Sequence, residues 1–144
     1  MIGATAKKVK IGGAIRGDRG AAAVEFALVA PLFLLILLGV VAYGGYFWRA
    51  HSLQQVANDA ARVAIGGLDA AERASLVHAS VAEEIGPLAG LDPGRASVSI
   101  HEVGDAMTVT LDYDASDDPF LRFGLVPLPD RRIRRTAAIR LTGL

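Results

Sequence analysis

The chain has 144 residues, 52% of them hydrophobic, with 15 basic side chains, 15 acidic ones and no cysteine. That length holds one small domain and an appendage, and the missing cysteines exclude disulfide staples, thiolate zinc sites and cysteine nucleophiles. The zero net charge conceals an asymmetry: before Ala21, five basic residues (Lys7, Lys8, Lys10, Arg16, Arg19) stand against Asp18 alone, and the remainder is net acidic.

The first predicted element is apolar. Phe26 to Trp48 is a run of 23 residues without a charged side chain, and it raises the mean hydropathy of the whole chain to +0.38. As a helix it is roughly 34 Å long, against a hydrocarbon core of about 30 Å. Tyr43, Tyr46, Phe47 and Trp48 gather at its far end, where membrane–water boundaries collect aromatic rings, and Arg49 is expected among the headgroups. A buried core helix this long and uninterrupted is unusual in so small a chain. The basic excess before the span predicts a cytoplasmic N-terminus, with the remainder outside. A cleaved secretory signal also starts basic but has a shorter apolar core, usually of about 7–15 residues. The small residues Ala42, Gly44 and Gly45 keep that reading open. Glu25, at the start of the apolar run, is either a first-turn acid at headgroup level or a costly carboxylate with a function.

The helix is expected to continue past the span. Leu53, Val56, Ala57, Ala60, Val63 and Ala64 keep helical spacing, with Gln54, Gln55, Asn58, Asp59 and Arg62 opposite, until Gly66-Gly67. A second helix is predicted from Asp69, with Glu72 in capping-box position and Ala70, Ala74, Val77, Val81 and Ile85 on one face. Gly86-Pro87 stops it, and Gly90-Leu91-Asp92-Pro93-Gly94 is turn chemistry. Val98 and Ile100, then Met107, Val109, Leu111 and Tyr113, alternate with polar residues about a Gly104-Asp105 turn. Asp117-Asp118-Pro119 and Val126-Pro127-Leu128-Pro129 mark an irregular connection before a last strand at about Ile133 to Leu141. The predicted fold is α+β: a long membrane-spanning helix, then a second helix and a three-stranded antiparallel sheet.

Residues for catalysis are not apparent. His51, His78 and His101 fall on separate elements, and no phosphate loop, nucleophile elbow or HExxH occurs. Asp112, Asp114, Asp117 and Asp118 lack EF-hand spacing and are read as a solvated acidic strand end. The basic run Arg131-Arg132-Ile133-Arg134-Arg135 is read as a polar strand face or a contact for an acidic partner, not a nucleic-acid site. No enzyme activity, metal or cofactor is expected.

The run Arg19-Gly20-Ala21-Ala22-Ala23-Val24-Glu25-Phe26 resembles the processing site of type IV prepilins. Glu25 to Leu32 with the leucines that follow, and Val56-Ala57-Asn58-Asp59-Ala60-Ala61-Arg62-Val63-Ala64, are similar to TadE-like proteins, the minor pseudopilins of tight-adherence (Flp-type) pili. Many members carry a second glutamate near the end of the apolar run, where this chain has Ala42 and Tyr43. The resemblance spans roughly residues 19 to 66. It implies cutting between Gly20 and Ala21 by a membrane-embedded prepilin peptidase, which makes Glu25 the fifth residue of the mature chain. Glu25, next to Phe26, can then help neutralise the new amino group on Ala21.

The expected organisation is a basic leader over 1–20, a long helix over 21–66 with its span at about 26–48, and a small extracytoplasmic domain over 67–144. The expected protein is a single-pass pseudopilin of the cytoplasmic membrane, working with the peptidase, other pilin or pseudopilin subunits and the pilus assembly machinery. An uncleaved signal-anchored protein whose outer domain binds an envelope component is the alternative.

Overall fold

A computed structural model describes residues 17–88, 90–118 and 130–141, with side chains from residue 20. Residues 1–16 of the expected leader, Pro119 and the Val126-Pro127-Leu128-Pro129 connection lie outside the described residues. Helix α1 spans Gly17–Val63 as one 47-residue α-helix with Pro31 inside it. A 3₁₀ turn over Ala64–Gly66 follows, then helix α2 over Ala70–Ile85. A 3₁₀ turn over Pro93–Arg95 leads to strands β1 (Ala96–Val103), β2 (Ala106–Asp114) and β3 (Arg132–Arg140). The sheet is antiparallel in the order β1-β2-β3, so the α+β architecture expected from the sequence is the one observed.

The chain divides between Leu37 and Leu38 into two compact units. In the first, α1 is built from strong helix formers, chiefly alanine and leucine. Pro31 leaves the carbonyl of Ala27 without its helical donor, which membrane helices tolerate. The side chains of Val24, Phe26, Leu28, Val29 and the run from Leu32 to Leu37 are all exposed.

In the second unit one face of α1 enters a core. Ala50, Leu53, Val56, Ala57, Ala60, Ala61 and Ala64 are buried together with Val77, Val81 and Ile85 of α2. Their partners are Met107, Val109, Leu111 and Tyr113 of β2, with Ile133 and Ala137 of β3. Successive strand residues point to opposite faces, so both helices cover one face of the sheet and leave Thr108, Thr110 and Asp112 on the other.

Local chemistry sets the boundaries. Asp69 caps α2 by accepting the Glu72 N–H at 2.8 Å, and the Glu72 carboxylate accepts the Leu68 N–H at 2.7 Å. This is the capping box, with its return bond one residue earlier than in the usual pattern. The β1–β2 loop is two residues long, with Gly104 at φ +60° and Asp105 at negative φ. Glycine at the first central position is the type II′ hairpin choice.

Contacts between layers fix which helix lies over which strand. Gln54 Nε2 donates to the Thr136 carbonyl at 3.1 Å and Arg135 Nε to the Ala50 carbonyl at 3.0 Å, so α1 covers the β3 side. Arg73 makes two bonds to the Glu102 carboxylate, at 2.9 and 2.8 Å, so α2 covers the β1 side. Arg135 corrects the reading of the basic run as a polar face: paired with Leu111, it lies on the core side of the sheet. Its aliphatic stem packs there while its guanidinium reaches the helix backbone.

Candidate functional site

Gly20, Ala21, Glu25 and Phe26 all lie on α1, and all four are exposed. Ala21 and Glu25 are four residues apart and therefore share a helix face, about 6 Å apart along the axis. Helical side chains lean toward the N-terminus, so a Glu25 carboxylate has the reach to approach the backbone nitrogen of Ala21. A Cβ added at Gly20 would meet no neighbouring side chain or other element within 4 Å. Phe26 is 73% exposed and Leu28 74%, so this stretch of helix presents apolar surface rather than burying it.

A second polar constellation follows β2. Arg49 and Asp118 form an ion pair, with side chains only 7% and 6% exposed, and Arg49 Nη1 also donates to the Gly45 carbonyl at 3.1 Å. One expectation is corrected here. Asp118 is not solvated: it and Arg49 neutralise each other inside the second unit. Beside them Arg95 Nη2 bonds Asp117 at 2.7 Å, and the Tyr113 hydroxyl accepts the Asp92 N–H at 3.0 Å. These residues line a cleft of 420 Å³ with Gly90, whose φ of +79° only glycine adopts easily. A Cβ at Gly90 would meet Arg49 Nη2 at 3.3 Å, so glycine also leaves room for the guanidinium.

The remaining acids of the cluster have partners too. Asp112 accepts from Arg134 Nε at 2.8 Å across the β2–β3 pairing, which raises the Arg134 pKa. Asp114 is held below the usual carboxylate range, first by the Ser116 hydroxyl and then by its backbone N–H, with Arg132 and Arg95 nearby. Glu102 is lowered by its hydrogen bonds from Arg73, and Arg95 is raised by Asp117. Such an arrangement locks loops to strands by charge. Among the described residues no group of three or more His, Asp or Glu side chains could hold a metal ion. His51 lies 3.3 Å from Gln55, far along the chain from His78 and His101.

Sequence reasoning placed Gly20, Ala21, Glu25 and Phe26 on one helix, where the structure has them, and missed the partners of Arg49, Arg73 and Gln54. Those pairs join residues 69, 29 and 82 positions apart, and no periodicity or spacing announces them.

A long apolar helix and a small α+β unit define the class: a protein with, among the described residues, one helix of the length and composition to cross a membrane. Within α1, residues 20–62 match the family model described as TadE-like protein. The TadE-like resemblance of the sequence is thus found again on this segment. No curated protein and no solved structure matches the chain.

Proposed function

We propose that this chain is a minor pseudopilin of a tight-adherence pilus, anchored by α1 and cut by a prepilin peptidase between Gly20 and Ala21. The observation that carries the proposal is the start of the TadE-like match: it opens at Gly20, the last residue of the expected leader. The exposed apolar surface of α1 supports it.

On this reading the chain supplies the scissile peptide and no catalytic group. α1 runs unbroken through Gly20–Ala21, so the peptidase must unwind its first turn before the carbonyl can be attacked. Gly20 weakens that turn by about 1 kcal/mol relative to alanine, which eases the opening.

The burial pattern bears on Glu25. Ala42 is the first buried residue of α1, at 5% exposed, and Val41 before it is exposed. About 30 Å of hydrocarbon takes about 20 helical residues. Counted back from Val41, such a span reaches Ala22 and includes Glu25. The aromatic residues Tyr43, Tyr46, Phe47 and Trp48 then fall at the headgroup boundary, where such rings favour standing. A carboxylate inside the span is costly unless matched, and the amino group freed at Ala21 is one turn away.

The test is N-terminal sequencing of the membrane-purified protein, made with its matching peptidase. Ala21 as first residue is the expected result. An intact Met1, or a start near Gly45, overturns the proposal in favour of a signal anchor or a secretory signal. The five-to-one basic excess before Ala21 supports an outside C-terminus: on that reading a reporter active only outside the cytoplasm should work when fused after Leu144.

A further inference from the structure

Each helix of the second unit carries another stripe beside the one it buries in the core. Val56, Asp59 and Val63 recur at helical spacing on α1, as do Leu76, Ala79 and Glu83 on α2. The two stripes line one open groove of 730 Å³ between the helices, and among the described residues no strand residue lines it. Val56, Val63, Leu76 and Leu88 give it apolar walls. Apolar surface rimmed by polar groups is the usual form of a protein contact site.

The charge of this groove is one-sided. Asp59, Glu83 and Glu84 line it, and among the described residues no lysine, arginine or histidine does. Asp59 has a distant cation, Arg62 at 3.9 Å, in an exposed pair. Glu83 and Glu84 form no ion pair among the described residues, whereas Glu102 and Asp117 each have an arginine. Ser80 Oγ donates to the Glu84 carboxylate at 2.8 Å and holds it at the groove wall.

Their position makes these two acids costly. Both stand in the last turn of α2, which contains no basic residue. The carbonyls of a last turn are already the negative end of the helix dipole, where cations are favoured and carboxylates are not. Glu83 and Glu84 therefore work against the helix that carries them. A local rule broken without compensation inside the fold points to a use outside it, and a cation brought by a partner supplies the missing compensation.

We propose that this groove docks one amphipathic helix of a partner protein, whose lysines or arginines stand over Glu83, Glu84 and Asp59. Its apolar residues, at i, i+3 and i+7, lie between α1 and α2. Two packed helices leave a furrow that a third helix fills. From Ser52 to Val63 the furrow is roughly 17 Å long, which takes about three helical turns. A second copy of this chain is the wrong occupant, because its helices bring the same carboxylates and like charges across an interface repel. The inference goes beyond the pseudopilin reading and does not depend on cutting at Gly20.

The probe is an amidated helical peptide of about twelve residues, with leucines at i, i+3 and i+7 flanked by lysines. A control peptide has glutamates in place of the lysines. Each is titrated into the full chain in micelles of an uncharged detergent, and NMR reads the amide shifts of Val56, Val63 and Leu76. The lysine peptide should shift all three and bind more weakly as salt is raised; the glutamate peptide should shift none. Glu83→Gln with Glu84→Gln should weaken the lysine peptide about five- to tenfold. The same double variant should melt at a higher temperature, because two carboxylates have left the negative end of α2. Ala79→Trp, at an exposed position on the groove wall, should abolish the shifts while the helical circular dichroism is retained. Absent shifts in millimolar lysine peptide overturn the proposal, as does equal binding of the two peptides or unchanged binding by either variant. A lower melting temperature in the double variant also overturns it, because the acids then serve the fold. Shifts confined to the apolar run before Leu38 overturn it as well, since the peptide then only enters the micelle.

Discussion

Arg49 in the middle of α1 and Asp118, four residues beyond β2, neutralise each other in a buried ion pair. The pair ties the chain leaving the sheet to the helix, and the same guanidinium holds the Gly45 carbonyl one turn back. Removing one partner leaves a charge in a site with little water. The cost of that is roughly 3–5 kcal/mol, whereas replacing both partners with apolar side chains is often neutral. Asp118→Ala should therefore destabilise the second unit by about 3–5 kcal/mol, and Arg49→Met with Asp118→Leu should recover most of the loss. Urea unfolding in detergent, followed by circular dichroism and by the single tryptophan, Trp48, measures both. Equal losses in the single and the double variant would refute the pairing argument.

What the sequence disclosed and what it withheld divide by range. The apolar helix, the Asp69–Glu72 capping box and the Gly104-Asp105 hairpin rest on neighbours within a few positions, so periodicity and turn chemistry reveal them. The acidic strand end and the basic run look like two independent solvated features in the sequence. Register makes them one: Asp112 faces Arg134 and Asp114 faces Arg132. Arg135 enters the core side of the sheet because only every second residue of that run points outward. That Gly20, Ala21, Glu25 and Phe26 share one helix was legible from their order along the chain.

Gly67 and Gly66 look equivalent in sequence as a helix stop, and the structure separates them. Gly67 has an ordinary extended backbone, φ −80° and ψ 135°, so no special conformation requires glycine. Space requires it: a Cβ at Gly67 would stand 2.6 Å from Arg73 Cγ and 2.7 Å from the Arg73 backbone nitrogen, while Gly66 has nothing within 4 Å. Gly67→Ala should cost about 1–3 kcal/mol by forcing the start of α2 away. Gly66→Ala should change stability by less than about 0.5 kcal/mol. Thermal melts of the two variants side by side decide it; equal melting temperatures would show that the α2 start yields freely.

The Arg73–Glu102 contact predicts an acid-sensitive junction between α2 and β1. Hydrogen bonds from Arg73 keep Glu102 ionised to lower pH in the folded chain than in the unfolded one. A lowered carboxylate adds stability above its unfolded pKa, about 4.3. That stability is lost as pH falls through the lower folded value. Asp114, lowered by Ser116, acts in the same direction. The melting temperature of the wild type should thus fall below about pH 4, and Glu102→Gln should flatten part of that limb. Identical acid limbs for both proteins would remove Glu102 from the explanation.

Glu25 gives the most direct separation of assembly from processing. On the proposed reading its carboxylate lies inside the span, one helical turn from the amino group created at Ala21. In the lone membrane-inserted chain, that terminus can stay near the wet boundary, so the loss on removing the acid is small. Among packed apolar helices the amino group loses that water, and an unmatched member of a buried pair costs roughly 3–5 kcal/mol. Glu25→Ala should accordingly be cut after Gly20 and stay in the membrane, yet fail to associate with partner pilins or support pili. Glu25→Gln is the sharper variant, because it keeps shape and hydrogen bonding and removes only the charge. Immunoblots for cleavage, membrane fractionation and co-purification of partner pilins read the three steps separately. Normal cleavage with lost association is the expected pattern for both variants. Wild-type piliation and partner recovery by Glu25→Gln would show that charge pairing plays no part and that Glu25 only starts a helix.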